Sequence, residues 1–127
     1  MQEKPSVLIV DDSPIVLRLL NNILKDDCKL IFAKTGELGL EYAKKHAPDI
    51  ILLDIMMPGL TGFDVLTALK ADEDTAAIPV IFITGSELSE NVDNAYILGA
   101  MDYIIKPFIA DDVKRRVKFN LDLLDKK

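Results

Sequence analysis

An open, doubly wound α/β domain of five βα units is the architecture this sequence predicts, and three observations predict it. Short apolar runs alternate with stretches of helical periodicity five times along the chain. The runs lack the polar alternation of a half-exposed sheet, which points to parallel strands covered by helices on both faces. At 127 residues the chain has the size of one domain, long enough to bury a core without staples.

Each element has its own signal. Ser6 to Val10 is too short for a helix and ends on charged residues, so it reads as the first strand. Val16, Leu19, Leu20, Ile23 and Leu24 then recur at helical spacing, with Ser13 as N-cap and Pro14 in the first turn. Lys29 to Ala33 is the second strand, followed by a weaker stripe of Leu38, Tyr42 and Ala43. Pro48 precedes the third strand, Asp49 to Leu53. Pro58-Gly59 and Thr61-Gly62 mark a loop, and Phe63, Leu66 and Leu69 make a third helix. Pro79 precedes the fourth strand, Val80 to Ile83, and Leu88, Val92, Ala95, Tyr96 and Gly99 form the fourth stripe. Tyr103 to Ile105 is the fifth strand, and Val113, Val117, Leu121 and Leu124 form a fifth stripe that runs on toward Lys126-Lys127. Right-handed crossovers pack such units into one open sheet. No repeat, low-complexity stretch or linker interrupts them, so 1–127 reads as a single domain with no effector domain.

Composition removes several function classes. Fifteen basic against 21 acidic side chains give a net charge of −6, which argues against a nucleic-acid-binding surface or one held to anionic lipid by charge. One cysteine, Cys28, excludes an internal disulfide, and with His46 as the single histidine there is no zinc cluster. The N-terminus does not resemble a signal peptide, and no apolar run approaches the ~20 residues of a membrane span. The expectation is a soluble, acidic, cytoplasmic domain.

In a sheet of this kind ligands bind outside the carboxyl ends of the strands. The residues there are Asp11 and Asp12 after the first strand, Asp54 after the third, Thr84 and Gly85 after the fourth, and Lys106-Pro107 after the fifth. Three carboxylates together need either a proton or a cation, and an all-oxygen donor set in a small site favours Mg2+ over Ca2+. A cation would admit a phosphoryl dianion, with Lys106 and Thr84 on its other side. That is equipment for phosphoryl transfer to a carboxylate.

Asp11-Asp12, Asp54-Ile55-Met56-Met57-Pro58-Gly59, Thr84-Gly85 and Lys106-Pro107-Phe108, in that order and each at a strand end, resemble the receiver domain of two-component response regulators over essentially the whole chain. The resemblance implies a flavodoxin-like (βα)5 fold with strand order 2-1-3-4-5. It implies Asp54 as phosphoacceptor, and a Mg2+ site from Asp12, Asp11, Asp54 and the Met56 carbonyl. Lys106 would contact the phosphoryl group across a cis peptide to Pro107, Thr84 would bind a phosphoryl oxygen on activation, and Tyr103 would turn inward as Thr84 moves. The partners implied are a histidine kinase or phosphotransfer protein, and downstream a protein partner or effector domain contacted by the surface of the fourth helix, fifth strand and fifth helix. The expected state is a monomer or a weak phosphorylation-dependent dimer.

Simpler roles compete for single residues. Asp12 alone would pass as a helix start, Thr84 as a β-branched strand end and Tyr103 as a half-buried strand aromatic. His46 lies at the end of the second stripe, where an imidazole suits the helix dipole, so no phosphotransfer role is assigned to it. Cys28 reads as a small core residue and Met57 as packing. A flavodoxin-like cofactor carrier would need a hydroxyl-rich phosphate cradle where Asp11-Asp12 stand, and no glycine-rich turn supports a dinucleotide enzyme. A haloacid-dehalogenase-type phosphatase expects an aspartate where Met56 stands. A phosphorylation-independent scaffold with the same fold is the remaining alternative. For output, the last stripe favours a receiver leading into a helical linker over a stand-alone adaptor. The dimerising transcription-factor branch is disfavoured because Glu87 to Gly99 has no basic residue, although Asp102 and Arg116 match its other charged positions.

Overall fold

The structure, a computed structural model, describes residues 4–84, 100, 102–106 and 108–125, with the backbone alone for Thr84, Leu124 and Asp125. The strands are β1 (Ser6–Val10), β2 (Lys29–Ala33), β3 (Ile50–Asp54), β4 (Val80–Thr84) and β5 (Asp102–Ile105). All adjacent pairs are parallel, in the order β2-β1-β3-β4-β5. The described helices are α1 (Pro14–Leu24), α2 (Gly36–His46), α3 (Gly62–Ala71) and a C-terminal helix (Ala110–Asp125). The fourth stripe, Leu88 to Gly99, lies outside the described residues, as do Gly85, Ser86 and Pro107.

The sheet separates two cores because successive side chains along a strand point to opposite faces. Val7, Ile9, Ile50, Leu52, Ile81 and Ile83 pack against Leu17, Leu20 and Leu24 of α1 and against Val113 and Val117 of the C-terminal helix. Leu8, Val10, Ile51, Leu53 and Phe82 pack against Ala43 of α2 and Val65, Leu66 and Leu69 of α3. This is the doubly wound arrangement that the alternating patterns predict. Among the described residues, no helix is long and apolar enough to cross a membrane.

Helix starts follow their caps. Ser13 Oγ accepts from Val16 N at 3.4 Å and Thr35 Oγ1 from Leu38 N at 3.1 Å. Thr61 and Asp64 form a reciprocal capping box, with bonds of 3.2 and 3.1 Å, that starts α3 beside the end of β3.

Three details depart from the sequence reading. β3 begins at Ile50, because Asp49 is occupied in bridging to Ser6: its carboxylate accepts from Ser6 N at 2.8 Å and its own N–H donates to Ser6 O at 2.9 Å. β2 and β5 are the edge strands and are not buried throughout; Lys29 and Phe32 of β2 are exposed. The inner face of α2 is made of Gly36, Gly39 and Ala43 rather than Leu38 and Tyr42, which are only partly buried. A Cβ on Gly39 would stand 2.9 Å from Val10 Cγ2, so the helix lies closer to β1 than larger side chains allow.

Candidate phosphoacceptor and metal site

The sheet edge gathers the charged residues by register. Asp11 follows β1, its N–H donating to Ala33 O at 3.0 Å, and Asp54 closes β3 opposite Ile83 of β4. Lys106 follows β5, and its side chain crosses the end of β4 to reach both acids. Lys106 Nζ lies 3.4 Å from Asp11 Oδ2 and 3.5 Å from Asp54 Oδ1. Carboxylate oxygens of Asp11, Asp12 and Asp54 all lie within 4.8 Å of one another. Asp11 and Asp54 are buried, whereas Asp12 is exposed at the rim.

The electrostatics of this group favour a cation. Asp11 Oδ1 is used in the chain, accepting from Ser13 N at 2.9 Å. Asp11 Oδ2 is buried and has no hydrogen-bond partner among the described residues; Lys106 is paired with it by charge alone. Burial, and next the charge of Asp11, push the Asp54 carboxyl up to about 6, against opposing effects of Lys106 and of the N–H that Met56 donates to it. A hard divalent ion would supply the missing partner for Asp11 and offset the repulsion between the acids. The donor set, three carboxylates without sulfur or imidazole, fits Mg2+.

Gly62 shapes the floor of the site. Its N–H donates to Ile55 O at 2.9 Å, closing the loop after β3. A Cβ at Gly62 would collide with the Asp54 carbonyl oxygen and stand 2.8 Å from Ile55 Cα. Backbone cannot yield as a side-chain tip can, so Gly62→Ala is expected to cost about 2 kcal/mol of stability. Urea unfolding should show a lower midpoint at unchanged slope, with weaker Mg2+ binding as the Asp54 loop shifts. The Thr61-Gly62 loop signal located this residue but not its contact with the end of β3.

The other expected residues are placed as follows. Thr84 ends β4 next to Asp54 and is paired with Ile105; its side chain lies outside the described residues. Met56, two residues past Asp54, presents its side chain to solvent at 71% exposure, while Met57 is buried. Tyr103 on β5 is half-buried, paired with Phe82, and its ring faces the Arg116 guanidinium, Cζ lying 5.9 Å from the ring centroid. His46 is exposed in the last turn of α2 against the edge of Tyr42, at 5.8 Å between centroids, and takes no part in the site. Cys28 is a buried free thiol whose titration burial pushes up, as suits a core residue. Sequence reasoning missed the Met56 N–H donated to Asp54, which leaves no local signal, and the anchoring of Arg116, of which only the i,i+4 spacing from Asp112 is legible locally.

This edge of paired acids and a lysine on a 2-1-3-4-5 sheet places the chain among two-component signalling proteins. It belongs to the response regulator receiver domain family, whose model matches residues 7–118. Over 102 residues it is 39% identical to Protein PilH of Pseudomonas aeruginosa, covering 80% of this chain and 84% of that protein. Over 116 residues it is 36% identical to a probable cyclic di-GMP phosphodiesterase of Vibrio cholerae, covering 91% of this chain but only 26% of that protein. The chain likewise spans 49% of the heme response regulator HssR of Staphylococcus saprophyticus, at 34% identity over 87% of this chain. Among solved structures, a CheY-like response regulator receiver domain protein from Methanospirillum hungatei superposes with a TM-score of 0.90 at 27% identity, covering 98% of each chain.

Proposed function

We propose that residues 1–127 form one receiver unit that accepts a phosphoryl group on Asp54 from a phosphohistidine of a histidine kinase or phosphotransfer protein. The single observation carrying this reading is the buried Asp54 carboxylate at the end of β3, held with Asp11, Asp12 and Lys106 in one cluster. With its carboxyl at about 6, Asp54 is mostly ionised at neutral pH and remains a basic oxygen nucleophile. An Asp54 oxygen attacks phosphorus, the N–P bond of the donor breaks, and the imidazole leaves and takes up a proton from solvent. Lys106 lies on the side where the phosphoryl oxygens gather negative charge and stabilises it there. Bound Mg2+, held by Asp11, Asp12, Asp54 and the Met56 carbonyl, would neutralise the acids and polarise the phosphoryl oxygens. Thr84 then takes a phosphoryl oxygen, Tyr103 moves, and the expected output surface, made by the fourth stripe, β5 and the C-terminal helix, changes. In this reading phosphorylation biases two states of the domain.

Its partners would be a phosphodonor protein and a downstream protein or effector domain, in the cytoplasm. No part in this is given to direct nucleic-acid or membrane contact. The unit would work as a monomer or a weak phosphorylation-dependent dimer. Intact mass after incubation with acetyl phosphate tests the reading. A gain of one phosphoryl group is expected with Mg2+, and none without it or in Asp54→Ala. If there is no adduct, binding of beryllofluoride is the second test; failure of both would favour a phosphorylation-independent scaffold.

A long-lived phosphorylated form is a further expectation. Hydrolysis needs a water aligned with phosphorus; members of the family orient it with an acid or amide two residues past the acceptor and two past the threonine, where this sequence has Met56 and Ser86. Met56→Asn should shorten the lifetime measurably in Mg2+. A wild-type half-life of minutes or less would contradict the expectation.

A further inference from the structure

The geometry points to Arg116 as a positioning residue that holds Tyr103 in its resting place, a clamp between the proposed aromatic switch and the C-terminal helix. The clamp rests on the proposed switch role of Tyr103. Arg116 is fixed from two elements at once. Its Nη1 donates to Asp102 Oδ1 of β5 at 2.8 Å, and its Nε donates to both carboxylate oxygens of Asp112, one turn earlier on the helix, at 3.2 Å. Asp102 is itself fixed: its Oδ1 accepts the Tyr103 N–H at 2.8 Å and its Oδ2 accepts Asn120 Nδ2 at 3.2 Å. Asn120 is buried on the helix and also donates to Arg116 O at 2.8 Å.

These bonds hold the guanidinium over the ring, with Cζ 5.9 Å from the Tyr103 centroid. A solvated arginine would follow a moving aromatic; one tied to two carboxylates on two elements cannot. When Tyr103 leaves, the contact is lost, so Arg116 stabilises one of the two states selectively. The same bonds engage Asp102 and Arg116 within one chain, although their positions match those a dimerising branch uses between chains.

The test is the affinity of the full chain for beryllofluoride with Mg2+, a stable mimic of the phosphoryl group. Arg116→Met keeps much of the side chain's packing and removes the guanidinium. It is expected to bind the mimic about 2–5-fold more tightly, the range of an exposed cation–π contact. In a Tyr103→Leu background the same replacement should have no effect. An unchanged or weaker affinity in Arg116→Met, or an equal gain in both backgrounds, would overturn the clamp. If Tyr103→Leu alone leaves the affinity unchanged, the switch reading itself fails and the clamp with it. As an independent readout, the chain carrying 3-fluorotyrosine should show the Tyr103 fluorine resonance shifted by Arg116→Met without any phosphoryl mimic. An unmoved Tyr103 resonance would also overturn the proposal.

Discussion

Lys106→Met is expected to slow phosphorylation of Asp54 by acetyl phosphate about 100-fold or more, the scale of losing a preorganised charge at a reacting oxygen. Two effects combine. The ammonium lies 3.5 Å from Asp54 Oδ1 and faces the space where a phosphoryl group would sit, so its loss removes charge stabilisation directly. It also lowers the Asp54 carboxyl against burial and the charge of Asp11. Without it the carboxyl rises above about 6 and a larger fraction is protonated at neutral pH. The deficit should therefore deepen as the pH falls from 8.5 to 6.5. Rates of mass gain at sub-saturating Mg2+, where protons compete with the metal for the carboxyl, would check it across that range; a pH-independent deficit would assign the whole effect to the transition state.

Asp54→Asn is expected to stabilise the metal-free chain at neutral pH while abolishing phosphorylation. The folded carboxyl titrates at about 6 against a reference of 3.8, so between these values the folded state binds more protons than the unfolded chain. Stability due to this group is thus highest in acid, falls as the pH rises from about 4 through 6, and is flat above. The penalty above that window is about 1–2 kcal/mol once the open rim of the site is allowed for. Asparagine keeps an acceptor for the Met56 N–H without the charge and removes the penalty. In wild type Mg2+ should recover it; at ten times its Kd a ligand adds about 1.4 kcal/mol. Thermal melts in chelator and in Mg2+ at pH 5 and 7.5 would show the variant's advantage in chelator fall to about half at the lower pH, and a smaller response to the metal. Equal metal responses in both chains would place the cation elsewhere.

Much of this architecture is legible in the sequence because it depends on local periodicity and on position along a strand. The central strands β1, β3 and β4 read as unbroken apolar runs because they are covered on both faces. The residues after each strand identified the acids and the lysine, since a parallel sheet brings all its carboxyl ends to one edge. What the sequence did not reveal depends on long-range packing. Gly36 and Gly39 form the inner face of α2 because the helix needs closeness to β1, which a search for large apolar residues passes over. The exposure of β2 follows from its place at the edge of the sheet, not from its composition. Asn120, a buried polar residue on the C-terminal helix, reaches Asp102, 18 positions earlier, as well as the carbonyl of Arg116 on its own helix. Likewise the raised Asp54 carboxyl depends on the burial that the fold imposes, which no motif states.

The most direct test of the central claim is the identity of the modified residue. The chain would be treated with phosphoramidate in Mg2+, reduced with borohydride, and mapped by peptide mass. Borohydride converts an aspartyl phosphate to homoserine, so the expected result is homoserine at position 54, absent when Mg2+ is withheld. Reduction at Asp11 or Asp12 instead, with Asp54 intact, would contradict the assignment of Asp54 as the phosphoacceptor.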